Sequence, residues 1–121
     1  MENHDKINYV EFPARNLVVT KAFFSKAFGW SFQDYGPEYA SFSNAGIAGG
    51  FFKSELSANT ENGSALIVLY SNDLEGTYSK VVDAGGAIVK EIFSFPGGRR
   101  FHFTEPSGNE FAVWSEHYSD D

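Results

Sequence analysis

The feature that most constrains the fold of this chain is an internal repeat, because residues of the first half recur 57 positions later in the second. Four identities mark the shift, namely Leu17 with Leu74, Thr20 with Thr77, Ala27 with Ala84 and Gly29 with Gly86. Apolar positions correspond as well, since Val10 falls on Ile67 and Phe12 on Leu69. The 121 residues suffice for one domain with a buried core, although two linked half-size units remain possible.

Each half of the repeat has the same predicted order of elements, which is a strand, a helix and three further strands. The first strands span residues 7–12 and 65–70, where apolar and aromatic residues cluster. Asn16 is an N-cap candidate for the first helix, and the run from Asn72 to Glu75 has the pattern of a capping box for the second. Gly29 and the pair Gly85-Gly86 are expected to supply the left-handed residue that ends each helix. The further strands are predicted at 30–34, 39–43 and 47–52, and at 87–92, 99–104 and 110–114.

These elements divide the chain into a first module (7–52), a linker (53–64) and a second module (65–116), each with the order βαβββ. The expected fold class is α+β, with two curled mixed sheets that carry a helix on their outer faces and cup one cavity between them. Because side chains alternate along a strand, Val10 and Phe12 should face the first helix, and Tyr9 and Glu11 the cavity.

Charge and composition narrow the function classes. A net charge of −7 argues against a nucleic-acid partner, because such binding depends on clustered Lys and Arg. No apolar run approaches the roughly 18 residues of a membrane helix, and the polar start does not resemble an export signal. With no cysteine, a cytoplasmic location is expected and thiolate chemistry is excluded. Aromatic residues make up 17% of the chain, enough to line a cavity as well as a core.

Several short motifs, in their order along the chain, resemble the vicinal-oxygen-chelate superfamily, which includes glyoxalases, bleomycin-resistance proteins and extradiol dioxygenases. They are the helix starts Asn16-Leu17 and Asp73-Leu74, the aromatic pair Phe23-Phe24 with Phe28-Gly29-Trp30, and the turn Glu105-Pro106-Ser107-Gly108-Asn109-Glu110. The resemblance covers about residues 7 to 116. It implies the glyoxalase and bleomycin-resistance fold and a small-molecule ligand.

The resemblance also implies four inward positions that hold a metal in the metal-dependent members, where His, Gln or Glu are the ligands. In this sequence the positions correspond to Tyr9, Gly50, Leu66 and Ala112, none of which suits an octahedral metal site. We therefore expect no metal cofactor of the family type, and metal-dependent glyoxalase or dioxygenase activity is disfavoured. Among the three histidines, His4, His102 and His117, only His102 is expected to reach the cavity, where Glu11 and Glu110 could join it in an atypical site.

Glu11 and His102 are the candidate catalytic residues. A mid-strand carboxylate is costly to bury unless it is paired or used, so Glu11 is interpreted either as an acid or base that contacts the ligand, or as a partner of Arg100 or His102 across the cavity. His102 alternates with Phe101 and Phe103, and serves either in catalysis or as a wall residue. Arg100, on the same face, could bind an anionic group through two hydrogen bonds.

Four aromatic residues, Tyr9, Phe52, Tyr70 and Trp114, alternate onto the expected cavity face, where they either stack a planar ligand or fill the space themselves. Gly50 offers close approach to a ligand, or merely marks a bulge. The complete predicted ligand-binding set comprises Tyr9, Gly50, Phe52, Leu66, Val68, Tyr70, Arg100, Glu110, Ala112 and Trp114.

The primary functional hypothesis is a small-molecule-binding protein with an aromatic cavity, like the metal-free drug-binding members of the family. From the resemblance we expect a homodimer, formed edge to edge or by exchange of modules. The alternative is a lyase or isomerase in which Glu11 acts as general base and His102 or Arg100 stabilises negative charge. A regulatory module without a ligand is the third possibility.

Overall fold

The architecture is known from a computed structural model that describes residues 3–116, and it confirms the predicted α+β fold with two βαβββ modules. The elements of the first module are β1 (Tyr9–Ala14), α1 (Leu17–Phe28), β2 (Ser31–Asp34), β3 (Tyr39–Ser43) and β4 (Ala48–Lys53). A short 3₁₀ helix, Thr60–Asn62, interrupts the linker. The elements of the second module are β5 (Ile67–Tyr70), α2 (Leu74–Asp83), β6 (Ala87–Phe95), β7 (Gly98–Thr104) and β8 (Glu110–Ser115).

Each module forms its own four-stranded mixed sheet. The strand orders are β1-β4-β3-β2 and β5-β8-β7-β6, with the first strand of each module parallel to the last and all other neighbours antiparallel. The two sheets are not joined into a closed barrel. Glu11 lies opposite Gly50 in the first sheet, and Val68 lies opposite Ala112 in the second. The two pairings are equivalent, although the shift changes along the module, since Val68 follows Glu11 by 57 positions and Ala112 follows Gly50 by 62.

The helix ends confirm part of the predicted capping. Asn16 accepts a hydrogen bond from the backbone N–H of Val19, and Gly29 ends α1 in the left-handed conformation with φ of 73°. The capping box predicted for α2 is wrong, because Asp73 is the N-cap and the Glu75 carboxylate binds the Arg99 guanidinium instead.

The two modules share a single hydrophobic core. Phe12 of β1 and Phe111 of β8 have ring centroids 5.0 Å apart, and Phe23 of α1 lies 5.7 Å from Phe103 of β7. Phe24, which is fully buried, contacts Phe111 across the module boundary. The helix-facing sides of both sheets therefore meet in one core, so their opposite faces point away from it. This differs from the expected arrangement, in which both faces line one cavity within the chain.

A buried polar network ties α1 to the turn before β8. The Glu105 carboxylate accepts hydrogen bonds from the Thr20 hydroxyl (2.7 Å), from the backbone N–H of Ser107 (2.9 Å) and from the Asn109 side chain (2.6 Å). Burial raises the pKa of Glu105, against the effect of these donors. Asn109 also donates to the carbonyl of Pro13, at the end of β1. The turn therefore connects the two modules, which explains why so many of its residues are polar and buried.

The segment predicted as a linker, residues 53–64, makes specific contacts with the strands. Lys53 belongs to β4. The backbone N–H of Ala58 donates to the Asn109 side chain in the turn before β8, and the Ala58 carbonyl accepts from the N–H of Glu110. Leu66 lies just before β5, which begins at Ile67 rather than at residue 65. Neither helix of residues 3–116 has the length and apolar character needed to cross a membrane.

Candidate functional site

The structure divides the predicted site residues between two faces. The first-sheet face is the side of the first sheet opposite α1, and it carries Tyr9, Glu11, Tyr39, Gly50 and Phe52. The second-sheet face is the side of the second sheet that points away from the shared core, and it carries Val68, Tyr70, Arg100, His102, Glu110, Ala112 and Trp114. Leu66 precedes this face. Within one chain, the two candidate catalytic residues Glu11 and His102 therefore belong to different faces.

On the first-sheet face, two phenols and a carboxylate form a hydrogen-bonded chain. The Tyr39 hydroxyl donates to Oε2 of Glu11 (2.9 Å), and the Tyr9 and Tyr39 hydroxyls are 2.6 Å apart. Burial and the hydrogen bonds to Tyr9 and Glu11 raise the pKa of Tyr39, so its phenol stays a neutral donor. The expected pairing of Glu11 with Arg100 or His102 is thus wrong, because Tyr39 supplies its partner from β3.

Gly50 makes room for Tyr39. A Cβ at position 50 would overlap both the hydroxyl and the ring of Tyr39 and would lie 2.9 Å from the carbonyl oxygen of Ala40. A side chain at this position, where metal-dependent relatives are expected to carry a ligand, therefore cannot coexist with the observed Tyr39 ring. Gly49 likewise makes room for the Phe42 ring on the other side of the strand. Close packing within the protein explains both glycines.

On the second-sheet face, His102 lies between Glu110 and Arg100. Its Nδ1 is 2.9 Å from Oε2 of Glu110, and its Nε2 is 3.2 Å from Nε and 2.9 Å from Nη2 of Arg100. Because a guanidinium can only donate, Nε2 must accept, so the proton of the neutral imidazole lies on Nδ1 and is donated to Glu110. The contacts thus define one tautomer of a nearly buried histidine.

The linker completes the surroundings of this histidine. Oε1 of Glu110 accepts hydrogen bonds from the backbone N–H (2.9 Å) and the hydroxyl (2.8 Å) of Thr60. Burial alone would raise the pKa of Glu110, but the hydrogen bonds from Thr60 and His102 outweigh it and hold the pKa below its ordinary value. A polar cavity of about 370 Å³ opens beside the pair, between Asn59 to Glu61 of the linker and Lys90 and Thr104 of the sheet.

The second-sheet face also carries aromatic rings, which lie on the side of Arg100 away from His102. Tyr70 and Trp114 are in edge contact with centroids 5.2 Å apart, and Phe95 lies 6.2 Å from Trp114. Tyr70 is about half exposed (49%). Tyr9 and Phe52 belong to the first-sheet face, so the four aromatic residues predicted to form one box are divided into two pairs.

The residues at the four family metal positions do not fit a divalent metal. Tyr9, Leu66 and Ala112 are present there, and the space at Gly50 is taken by the Tyr39 phenol. Residues 3–116 contain no group of three or more His, Cys, Asp or Glu side chains that could hold a metal ion, so Glu11, His102 and Glu110 do not form the atypical site considered from the sequence. His4 pairs with Asp5, and His117 lies outside the described residues.

An apolar crevice lies on the opposite, helix-facing side of the sheets. Its volume is about 360 Å³, and Val10, Trp30 and Phe42 of the first module face Ile67 and Leu69 of the second. It is therefore continuous with the shared core, and its lining is apolar apart from Tyr70 and the indole of Trp30. Unlike this crevice, the polar cavity is lined by a predicted catalytic residue, His102.

Four residues of the site were not predicted from the sequence: Tyr39, Thr60, Lys90 and Phe93. Register shifts in β6 between Ile88 and Phe93 let Lys90, Phe93 and Phe95 share one face, which simple alternation does not allow. Tyr39 contacts Glu11 because of the strand register, and Thr60 contacts Glu110 because of the path of the linker. The sequence contains no local signal for either.

Comparison with known proteins agrees with this architecture. Residues 6–113 match the profile of the Glyoxalase/Bleomycin resistance protein/Dioxygenase superfamily, and the chain belongs to that superfamily. A glyoxalase-related enzyme from Fulvimarina pelagi superposes with a TM-score of 0.76 at 15% identity, over 91% of this chain and 87% of the other. A lactoylglutathione lyase from Agrobacterium tumefaciens superposes with a TM-score of 0.69 at 17% identity, over 90% and 92%. At these identities the likeness shows the fold alone. A comparison with curated proteins finds no significant match.

Proposed function

We propose that the protein binds a small planar molecule on its second-sheet face. The observation that supports this most directly is the juxtaposition of partly exposed rings, Tyr70 and Trp114, with an oriented polar row formed by Arg100, His102 and Glu110. Stacking rings with a few placed polar groups are what ligand sites usually combine. The family's metal positions carry no suitable ligands, so the proposal is a binding protein without the family-type metal site, acting as a single domain in the cytoplasm.

The two outward faces support a homodimer. Because the helix-facing sides of both sheets are buried in the shared core, the first-sheet face and the second-sheet face are not covered within one chain. A second copy would place its first-sheet face over the second-sheet face of this chain and enclose a cup between them. Tyr9 and Phe52 would then meet Tyr70 and Trp114 across the dimer, restoring the aromatic box. Light scattering should give twice the mass of one chain in solution.

A thermal-shift screen of metabolites and metal ions tests the binding proposal. A ligand at 100 times its Kd should raise the free energy of unfolding by about 2.7 kcal/mol. The rise should shrink in Tyr70→Ala, which removes a stacking ring, but not in Val18→Ala, which removes an exposed side chain of α1. Equal stabilisation of both variants would place the ligand elsewhere, and stabilisation by divalent metals alone would contradict the proposal.

A lyase or isomerase is the second candidate function. The observation in its favour is the Glu11 carboxylate, which is exposed and uses only Oε2 in its hydrogen bond with Tyr39. Oε1 is free to take a proton from a carbon acid, and in the dimer described above His102 or Arg100 of the second copy would stabilise the resulting negative charge. A general base of this kind would exchange a substrate proton with solvent.

Solvent deuterium exchange separates the two functions. Compounds that stabilise the protein would be incubated with it in D₂O and examined by proton NMR for loss of a signal next to a carbonyl group. An enzyme of the second kind would show exchange that disappears in Glu11→Gln, while binding persists. If bound compounds show no exchange with the wild-type protein, the lyase or isomerase function is wrong and the binding function stands.

A further inference from the structure

Two basic side chains flank one ring on the second-sheet face. Nζ of Lys90 lies 5.2 Å from the centroid of Phe93, and Cζ of Arg100 lies 5.9 Å from the same centroid. Phe93 is opposite Arg100 in the sheet, and Lys90 is opposite His102. The irregular β6 strand therefore brings two cations to one small area beside the imidazole.

Among residues 3–116, neither cation has a carboxylate within ion-pair distance, although Glu61 and Glu110 line the polar cavity together with Lys90. Some basic residues of the described chain have acidic partners, as Lys21 has Asp34 at 2.6 Å and Arg99 has Glu75 at 2.6 Å, whereas Lys26 and Lys80 have none; Lys90 and Arg100 differ from these in lying side by side. Within residues 3–116, Lys90 and Arg100 make no ion pair, although the chain as a whole has a net charge of −7. Two adjacent, unpaired cations on an acidic protein create a local site for negative charge.

The guanidinium also has unused donors. Arg100 donates the N–H of Nε and one N–H of Nη2 to the same acceptor, Nε2 of His102. A guanidinium has five N–H groups, so both hydrogens of Nη1 and one of Nη2 remain for a ligand. The negative charge of Glu110 reaches Arg100 only through the imidazole, since Glu110 binds Nδ1 of His102 and Thr60. An incoming anion would be the first direct counter-ion of Arg100.

We infer that the ligand of the second-sheet face is an anion, a carboxylate or phosphate carried on a planar group, that binds Arg100 and Lys90 while its plane lies against Tyr70 and Trp114. The inference rests on the proposed binding function and adds the chemical class of the ligand. The imidazole of His102 orients Arg100 toward this anion by holding two of its N–H groups.

Matched neutral and anionic probes test the inference on the full chain. The protein labelled with ¹⁵N would be titrated with benzoate, phenyl phosphate and benzamide, and the indole N–H of Trp114 would report binding with the core residue Trp30 as internal reference. Benzoate or phenyl phosphate should shift the Trp114 signal saturably, with a Kd at least about tenfold lower than that of benzamide. The tighter of the two anions identifies the anionic group.

Variants assign the effect to the two cations. Arg100→Gln should weaken binding of the tighter anion at least about tenfold, because charge-assisted hydrogen bonds are lost. Lys90→Gln leaves the contacts of His102 intact and should weaken it several-fold, whereas the charge-matched control Lys53→Gln, on β4, should leave the Kd unchanged. If benzamide binds as tightly as benzoate, or if both variants bind like wild type, the anion assignment is overturned while the binding face stands. If Trp114 responds to none of the three probes, the binding face itself is wrong.

Discussion

At both faces, single residues fix the position of a neighbouring side chain, and no metal ligands occupy the family positions among them. Gly50 and Tyr39 illustrate this, since the absence of a side chain at one position lets a phenol from the neighbouring strand occupy the space and bind Glu11. On the other face, Glu110 and Arg100 hold His102 in a single tautomer. Each of these residues acts by positioning a neighbour, so each is testable by a small change.

Gly50→Ala should destabilise the protein by roughly 1–3 kcal/mol, because the added methyl group overlaps the Tyr39 hydroxyl and ring. Urea unfolding measures the loss. In a Tyr39→Ala background the same substitution should be less costly, since the ring has been removed. An equal loss in both backgrounds would show that the backbone of β3, and not Tyr39, requires glycine.

The Glu110 carboxylate should contribute to the pH dependence of stability. Its pKa in the folded protein is held below the ordinary value near 4.3, so its contribution is present above that value and is lost as the pH falls through the lowered pKa. Free energies of unfolding from pH 3 to 7 should therefore fall less steeply on acidification in Glu110→Gln than in wild type. Parallel curves would mean that the carboxylate has the same pKa in the folded and unfolded chain.

Alternation along the strands predicted which residues share a face, as Tyr9 with Glu11 and Arg100 with His102 demonstrate. It did not predict their partners. Tyr39 of β3 reaches Glu11 of β1 across Gly50 of β4, which has no side chain to block it, and the contact of Thr60 with Glu110 depends on how the linker folds. Such contacts depend on register between distant segments, which a local pattern does not contain.

The helix α1 differs from its repeat partner α2 in the connections that it makes. The equivalent residues Thr20 and Thr77 are both largely buried, but Thr20 binds Glu105 and Ser107 of the second module, whereas Thr77 binds only Ser71 next to its own helix. The repeat thus conserves the residue and its burial while the partner changes. The first helix therefore contacts both modules through hydrogen bonds and packing, whereas the Thr77 side chain of α2 bonds within its own module.

Thr20→Val should therefore cost more than Thr77→Val. The substitution at position 20 keeps the shape but leaves the Glu105 carboxylate and the Ser107 hydroxyl each one buried partner short, for a loss of about 1–3 kcal/mol. The loss at position 77 should be about 1 kcal/mol or less, since one exchangeable hydroxyl contact disappears. Equal losses in urea unfolding would remove the special role of the link between α1 and the turn.

At the level of the whole molecule, the repeat correctly predicted two βαβββ modules but not how they pack. The expected cup within one chain requires the helices outside, whereas Phe23 and Phe24 of α1 contact Phe103 and Phe111 of the second sheet. Amphipathic strands and helices are compatible with both packings, because each buries the same apolar faces. The shared core decides between them, and it leaves the faces with Glu11 and His102 on separate sides.

Mapping of backbone amide shifts would show whether ligands bind on the second-sheet face. The compound from the thermal-shift screen that stabilises the protein most would be titrated into ¹⁵N-labelled protein. The largest shifts should cluster around Arg100, His102 and Trp114 of β7 and β8. Shifts confined to Val10 and Ile67, which line the apolar crevice on the helix-facing side, would place the ligand there and not on the second-sheet face.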